Sequence, residues 1–487
     1  MLYGIIKRAA ALLTAGVMAF CLAACTVNPG VSTPTAAPTQ ASSTEEGGTQ
    51  SAEPTADPAA TPGHEDPAAA LPRFIAGDGV TFLVTADGVL YGWGENKYGQ
   101  VGDGTGEDRT APRFIGTGLT PVIVGDSVFA LDGGTLYAWG RNDEGQLGTG
   151  DLENRLSPTE IMKGVASVYR CCGYTAALTE DGKLVVWGEP TTSKNMKPKA
   201  KNSSEVLSGV ISFADGYAVT EEGSLYRIAQ GGAEELVKGA AEVYPSYCAC
   251  FYKDVNGSLY ELVSGEARRS RPLVENVAAA VNAGGTVYAI DSDGVLWRYT
   301  AADNALGGDP DEAPVRVTEG AAKVFAGVEM DEDWGYNYLY VIMKNGDLYA
   351  KTHGTEFALA ASGVKDIVTS GAVTYAITQD GGLLASGTGR DGRDWCRSCI
   401  GDGTDKSSAE FVRIDLGGMK TASAATVLDW QTVDDTDDTD HALITTRSFA
   451  VTEDGRVWAW GWNGDGLLGA RVPDEMVLSP TELYLTR

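Results

Sequence analysis

Basic residues and histidine are scarce in this chain. Of its 487 residues, 37 are lysine or arginine against 66 aspartate or glutamate, which gives a formal net charge of −29, and only 3 are histidine. Proteins that bind nucleic acid neutralise its phosphates with an excess of basic side chains, so this composition excludes a nucleic-acid-binding function. Enzymes that use several histidines, in a zinc site or in acid–base catalysis, are also hard to build from this sequence. Glycine, in contrast, is abundant, with 62 residues.

Long apolar runs are missing except at the N-terminus. Lys7 and Arg8 precede the apolar run 9–24, which is too short for a membrane span and has the flanks of a signal peptide. The run ends in Leu22-Ala23-Ala24-Cys25. This end resembles the lipobox of bacterial lipoproteins, and the resemblance implies cleavage before Cys25 and a diacylglycerol on its sulfur. We therefore expect 1–24 to be a lipoprotein signal peptide. We also expect an exported protein, lipid-anchored on the outer face of the bacterial cell membrane or of another envelope membrane.

Large apolar residues are almost absent from 25–70. Thr, Ala, Pro, Ser, Glu and Gly dominate this stretch, and such a composition cannot bury enough surface to offset the entropy of ordering. We predict a disordered linker between the lipidated cysteine and a folded domain that spans 71–487.

One pattern recurs nine times in 71–487. Each unit has an alternating apolar run, a turn usually made by Asp-Gly, and a second alternating run, as in 82–94 and 449–461. Alternation with a period of two residues predicts strands, and Asp-Gly between them predicts hairpins with type I′ turns. A further strand precedes each hairpin and another follows it, often led by proline. The turn glycines are Gly88, Gly134, Gly182, Gly223, Gly257, Gly294, Gly346, Gly381 and Gly455.

Four short strands in each unit predict an all-β fold, a β-propeller of four-stranded antiparallel blades. Segments 94–105 and 140–150 resemble the G-x-N-x-x-G-Q-L-G-x-G loop of the RCC1 (regulator of chromosome condensation) repeat. Segment 461–469 keeps this motif with Leu467 in place of Gln, and 400–404 keeps its second half. The resemblance implies an RCC1-like propeller, whose usual ring has seven blades. Nine units are counted here, so nine and seven blades both stay open, with nine favoured.

Cys396 and Cys399 form a C-x-x-C pair in a polar loop. In an oxidising exterior this spacing favours a disulfide, with free thiols or half of a zinc site as the alternatives. The acidic run 434–440 has carboxylates at alternate positions, which suits Ca²⁺, but it lacks the glycine and the final glutamate of an EF-hand. A solvated acidic loop is therefore the simpler interpretation, and no cofactor is expected.

Two groups of residues are candidates for ligand contact. One is the local basic patch in the third unit. The other is the set of tryptophans that fall outside the strand-end register of the rest and are expected in exposed loops. These residues are Lys194, Lys197, Lys199, Lys201, Trp334, Trp395, Trp430 and Trp462.

Variable loops on a repeated frame are typical of recognition. We therefore expect a monomeric, non-enzymatic binding protein that presents loops to a protein or a cell-surface polymer. The alternative is a carbohydrate-active propeller enzyme, a glycosidase or lyase, which would need paired acids in its channel. No motif in the sequence points to such a pair.

Overall fold

The computed structural model describes residues 72–485, with gaps inside that range. The gaps are 78, 172–173, 189–203, 230–231, 246–248, 263–271, 302–310, 331–334, 353–355, 371, 391–395, 434–440 and 470–474. The predicted signal peptide, Cys25 and the linker lie outside the described residues. None of the described residues belongs to a helix that is long and apolar enough to cross a membrane.

Nine antiparallel sheets, each built mainly from consecutive strands, form the nine blades of a β-propeller. Blades 1 to 3 contain β1 (Arg73–Gly77), β2 (Val80–Val84), β3 (Val89–Gly94) and β4 (Arg109–Thr117); β5 (Thr120–Val124), β6 (Ser127–Asp132), β7 (Thr135–Gly140) and β8 (Arg155–Lys163); β9 (Val165–Cys171), β10 (Tyr174–Thr179), β11 (Leu184–Trp187) and β12 (Ser204–Leu207). Blades 4 to 6 contain β13 (Val210–Ala214), β14 (Tyr217–Thr220), β15 (Ser224–Ala229) and β16 (Gly232–Lys238); β17 (Ala240–Tyr244), β18 (Cys250–Asp254) and β19 (Leu259–Leu262); β20 (Val277–Ala283), β21 (Thr286–Asp291), β22 (Leu296–Thr300) and β23 (Val315–Thr318).

Blades 7 to 9 complete the ring. Their strands are β24 (Ala321–Met330), β25 (Gly335–Met343), β26 (Leu348–Lys351) and β27 (Ala358–Ala361); β28 (Val364–Thr369), β29 (Val373–Thr378), β30 (Leu383–Gly387) and β32 (Ser408–Ile414); β33 (Thr421–Val433), β34 (His441–Thr452), β35 (Val457–Trp462) and β36 (Met476–Leu483). The two-residue β31 (Cys396–Arg397) leaves blade 8 and pairs in parallel with β34 of blade 9. A short 3₁₀ turn, Gly464–Gly466, follows β35. The structure thus confirms the all-β propeller and decides between seven and nine blades in favour of nine.

The first strand of each blade lines the central channel, because the first strands of neighbouring blades approach one another. The second and third strands are buried between blades, as the wholly buried β2 and β3 show. The fourth strands form the half-exposed perimeter, as in β4. The hairpin formed by the second and third strands is buried on both faces because each face packs against a neighbouring sheet.

Blades 9 and 1 meet without a shared strand among the described residues. The rings of Phe74 and Phe449 stack with centroids 4.5 Å apart, and Trp93 packs edge-on against both. The fully buried Arg447 donates from Nη1 to Thr81 Oγ1 at 2.8 Å. The ring is therefore closed by side chains rather than by exchanging an N- or C-terminal strand.

The predicted type I′ turns are wrong for eight of the nine hairpins. In the first, Gly88 N donates to Thr85 O at 2.9 Å and Thr85 N donates to Val89 O. Gly88 has φ +75°, whereas Asp87 is not among the residues with positive φ. This is a type I turn followed by a left-handed glycine, a three-residue loop that also matches the strand twist. Among these nine hairpins between second and third strands, the one at Gly133-Gly134 alone has two successive left-handed residues at its turn.

Seven of these nine turns also join their blade to the next. Gly182 O accepts a hydrogen bond from Val210 N at 2.8 Å, where Val210 is the first residue of the following blade. The equivalent bond recurs at Gly134, Gly223, Gly257, Gly294, Gly346 and Gly381. The repeated glycine therefore fixes a turn and also positions the next inner strand.

Candidate binding surface on the loop face

The two ends of the propeller differ in their connections. Connections from first to second strand and from third to fourth strand emerge at one end, which we call the loop face. The connections from third to fourth strand differ widely in length. The connection 230–231 has two residues, 95–108 and 141–154 have fourteen each, and 388–407 has twenty. The other end, the turn face, carries the uniform glycine turns and the brief links between blades. Variation in length is thus concentrated on the loop face.

The motif asparagine organises the long loops from inside. In blade 1 the buried Asn96 donates from Nδ2 to Thr105 O at 3.0 Å and to Glu107 O at 2.9 Å, and its Oδ1 accepts from Val101 N at 2.9 Å. Asn142 makes the same set of bonds in blade 2. Because a buried amide left without partners is costly, these bonds fix the loop conformation.

The rest of the motif packs against the next blade. Trp139 of blade 2 donates from Nε1 to Gln100 O in the blade-1 loop at 2.9 Å, and Trp187 of blade 3 donates in the same way to Gln146 O. A Cβ added at Gly102 would lie 2.7 Å from Trp139 Nε1, so this position needs glycine. The residues of the loop motif therefore hold neighbouring blades together.

A repeated hexapeptide receives these loops. The sequence Leu-Ser-Pro-Thr-Glu followed by an aliphatic residue begins at Leu156 in β8 and again at Leu478 in β36. Gly104 N of the blade-1 loop donates to Leu156 O at 2.8 Å, and Gly403 N of the blade-8 loop donates to Leu478 O at 3.0 Å. The first residue of each copy thus accepts the same hydrogen bond from the loop of a neighbouring blade.

Ion pairs hold the ends of the loops. Arg109 bonds Asp103 in blade 1, and Arg155 Nη2 bonds Asp151 Oδ2 in blade 2 at 2.6 Å. Hydrogen bonds from Arg155, from the Glu153 N–H and from the Thr149 hydroxyl lower the pKa of Asp151 to about 2. These carboxylates therefore stay charged over the whole physiological range.

The exposed part of the loop face carries charges around one aromatic ring. Tyr98, half-buried at the tip of the blade-1 loop, has Lys97 Nζ 5.3 Å and the Arg141 guanidinium 5.1 Å from its ring centroid. Arg141 also bonds both carboxylate oxygens of Asp143 at 2.8 Å, and the bond from Arg141 lowers the pKa of Asp143. This cluster spans blades 1 and 2 and can contact a charged or aromatic ligand.

Comparisons with protein-family models match the segments that contain these loops. A model of the regulator of chromosome condensation (RCC1) repeat matches residues 87–124 and 133–178, and a second RCC1 repeat model matches residues 446–467. These three segments of the chain are therefore RCC1 repeats. The matched segments of this RCC1-repeat protein contain the motif asparagines Asn96, Asn142 and Asn463.

A comparison with solved structures found similar chains. Prp20p from Saccharomyces cerevisiae is 14% identical over 81% of this chain and 86% of its own, with a TM-score of 0.41. Human WBSCR16 is 13% identical over 82% of this chain and 95% of its own, with a TM-score of 0.42. A search of curated proteins found no match.

The structure corrects the expected positions of two of the predicted contact residues. Trp462 was expected in an exposed loop, but it ends β35, is only 7% exposed, and lies under the Arg397 guanidinium, 4.1 Å from the ring centroid. Trp430 lies within β33 rather than in a loop. Both belong to the long sheet of blade 9.

The other predicted contacts stay predictions. They lie outside the described residues, as does the acidic run 434–440; they are Lys194, Lys197, Lys199, Lys201, Trp334 and Trp395. Cys399 has a free, buried thiol whose Sγ donates to Val477 O at 3.4 Å, and burial raises its pKa to about 12. Because Cys399 is a free thiol, the predicted disulfide between Cys396 and Cys399 is not formed in this structure; the side chain of Cys396 itself lies outside the described residues.

Proposed function

We propose that this RCC1-repeat protein is a non-enzymatic binding protein, exported and lipid-anchored through Cys25. It uses the loop face to bind a protein or a polymer at the cell surface. The observation that carries the proposal is the difference between the two faces. The turn face repeats one short turn, whereas the loop face varies in length and in exposed charge while its motif residues are buried between blades. Such a division separates a constant frame from a variable surface, as recognition requires.

The position of the chain's entry into the ring supports this orientation. Pro72 O accepts a hydrogen bond from Ser423 Oγ at 2.7 Å, close to the start of β1 and β33. First strands run from the turn face to the loop face, so the chain enters at the turn-face end of the channel. A linker attached at this end would leave the opposite end, the loop face, free to bind a partner, which supports the proposal.

The test captures partners from cell-surface extracts, including peptidoglycan and glycans, with the full lipidated chain. Two double variants keep the net charge unchanged: Lys97→Glu with Glu144→Lys on the loop face, and Lys183→Glu with Glu222→Lys on the turn face. We expect saturable binding that only the loop-face variant weakens. Absence of any saturable partner, or equal weakening by both variants, would refute the proposal.

The anchor has a separate test. Cys25→Ala removes the sulfur that would carry the lipid, so the variant should leave the membrane fraction while the wild-type chain stays there. A variant that remains in the membrane fraction would refute the lipid anchor without bearing on the binding surface.

A further inference from the structure

The inner hairpin of blade 9 rises above its neighbours. β1 of blade 1 ends at Gly77, whose register places it level with Val427, and β28 of blade 8 ends at Thr369, level with Thr426. Thr426 Oγ1 donates to Ser370 Oγ at 3.4 Å at this level. β33 continues through 428–433, which we call the β33 arm. At about 3.3 Å per residue the arm projects about 20 Å from the loop face.

One edge of the arm is taken by β34. At the base of the hairpin, Glu453 N donates to Lys420 O, whereas Thr452 N donates to Arg456 O on the opposite side. Odd-numbered residues of β34 therefore face β33, and in register they meet the odd-numbered residues of the arm, Asp429, Gln431 and Val433. Because backbone groups alternate along a strand, the N–H and C=O groups of the even-numbered residues point to the other edge.

The other edge of the arm is open within the described part of the chain. There β33 pairs only with β34, so Leu428, Trp430 and Thr432 direct their backbone N–H and C=O groups toward the mouth of the channel. Natural proteins usually protect such an edge with proline, lysine, a bulge or a short strand. The arm has none of the first three, and β33, with its 13 residues, is the longest described strand.

Charge decides between two occupants of this edge. The arm has one ionisable residue, Asp429, and the chain as a whole has a net charge of −29. A second copy of the chain would bring the same negative charge to the edge, whereas a basic segment would be attracted to it.

We propose that the open edge of the β33 arm binds an extended, basic polypeptide segment as an added strand. Backbone hydrogen bonds to Leu428, Trp430 and Thr432 would supply the affinity, and the negative charge would select the partner. This inference rests on the proposed function, because it names the class of partner that the loop face would bind.

The test is a calorimetric titration of the full chain with a synthetic octapeptide of alternating valine and lysine. Thr432→Pro removes one outward N–H without touching the bonds to β34, and Thr432→Ala is the matched control that keeps this N–H. We expect saturable binding, about tenfold weaker for Thr432→Pro and unchanged for Thr432→Ala. A peptide N-methylated at alternate residues tests the same bonds with the wild-type chain and should also bind at least about tenfold more weakly.

Several outcomes would overturn the inference. These are no saturable binding of the octapeptide, equal affinities of the two Thr432 variants, or equal binding of a valine–glutamate octapeptide. Dimerisation that Thr432→Pro abolishes would identify a second copy as the occupant instead. If capture from extracts depends on the Lys97 and Glu144 pair but not on Thr432→Pro, the proposed function stands and this inference fails.

Discussion

The seam between blades 9 and 1 gives the sharpest test of how the ring holds together. Trp93 of blade 1 donates from Nε1 to Leu467 O of blade 9 at 2.9 Å, and Trp139 makes the equivalent bond to Gln100 O across blades 1 and 2. Both indoles are fully buried. Blades 1 and 2 are also linked through 118–119, whereas blades 9 and 1 are held only by noncovalent contacts. The same substitution at the two tryptophans should therefore have different consequences.

We expect Trp93→Phe and Trp139→Phe to cost each interface about 2–3 kcal/mol. Loss of the hydrogen bond accounts for about 1 kcal/mol, and the smaller ring in a packed site accounts for the rest. At the seam this cost lets the ends of the ring separate, so both blade 9 and blade 1 become open to solvent. At the tethered interface the two blades stay close together, and the change remains local.

Hydrogen exchange followed by mass spectrometry distinguishes the two variants. Trp93→Phe should speed exchange by roughly 30- to 100-fold throughout β1, β2, β34 and β35, given about tenfold for each 1.4 kcal/mol. Trp139→Phe should speed exchange only around the blade-1 loop and β7. Equal patterns in the two variants, or a local change at Trp93 alone, would refute side-chain closure as the weak point of the ring.

Three further predictions concern the glycines, the turns and a buried hydroxyl. Gly148→Ala places a Cβ 2.9 Å from the Trp187 ring, whereas Gly164→Ala meets open space at a similar positive φ. Gly164→Ala should therefore lower the free energy of unfolding in urea by roughly 1 kcal/mol and Gly148→Ala by more. Equal losses would contradict the close approach at Gly148. Hydrogen bonds from Thr179 and then Lys183 lower the pKa of Asp181 below 3.8. Its stabilising effect is therefore complete above that pH and is lost below it, so Asp181→Asn should flatten the fall of the melting temperature in acid, and an unchanged fall would count against this. Tyr375→Phe removes the acceptor of Trp460 Nε1 at 2.7 Å and a partner of Ser448 at 2.9 Å; denaturation should show a loss of about 1–3 kcal/mol, and no loss would mean that water replaces the hydroxyl.

The positions of the hairpins could be predicted from the sequence because their signals are local. Alternating residues around Gly88 or Gly381 define two strands and a turn within about a dozen residues. The turn type was wrong because Asp-Gly is compatible with two geometries. The type I turn with a left-handed glycine also lets the Gly381 carbonyl reach Thr421 in the next blade. That bond depends on the neighbouring unit, which no local pattern contains.

Contacts between distant residues could not be predicted. The two copies of the hexapeptide at Leu156 and Leu478 were visible in the sequence, but their shared role depends on loops from the preceding blades. Trp462 was expected to be exposed because it falls outside the register of the other tryptophans. Arg397 covers it, and β31 brings that arginine across from blade 8. Strand exchange of this kind has no signature in the local sequence.

The carbonyls of seven of the nine turn glycines bond the N–H that begins the following inner strand, so these units are joined in the same way to the unit that follows. A gene segment that encodes one complete unit could be duplicated, and the extra copy would find the same bond on either side. Only the circumference of the ring and the fit at its seam would have to change. The number of units in such a molecule is therefore a quantity that evolution can alter in whole steps, without rebuilding the parts.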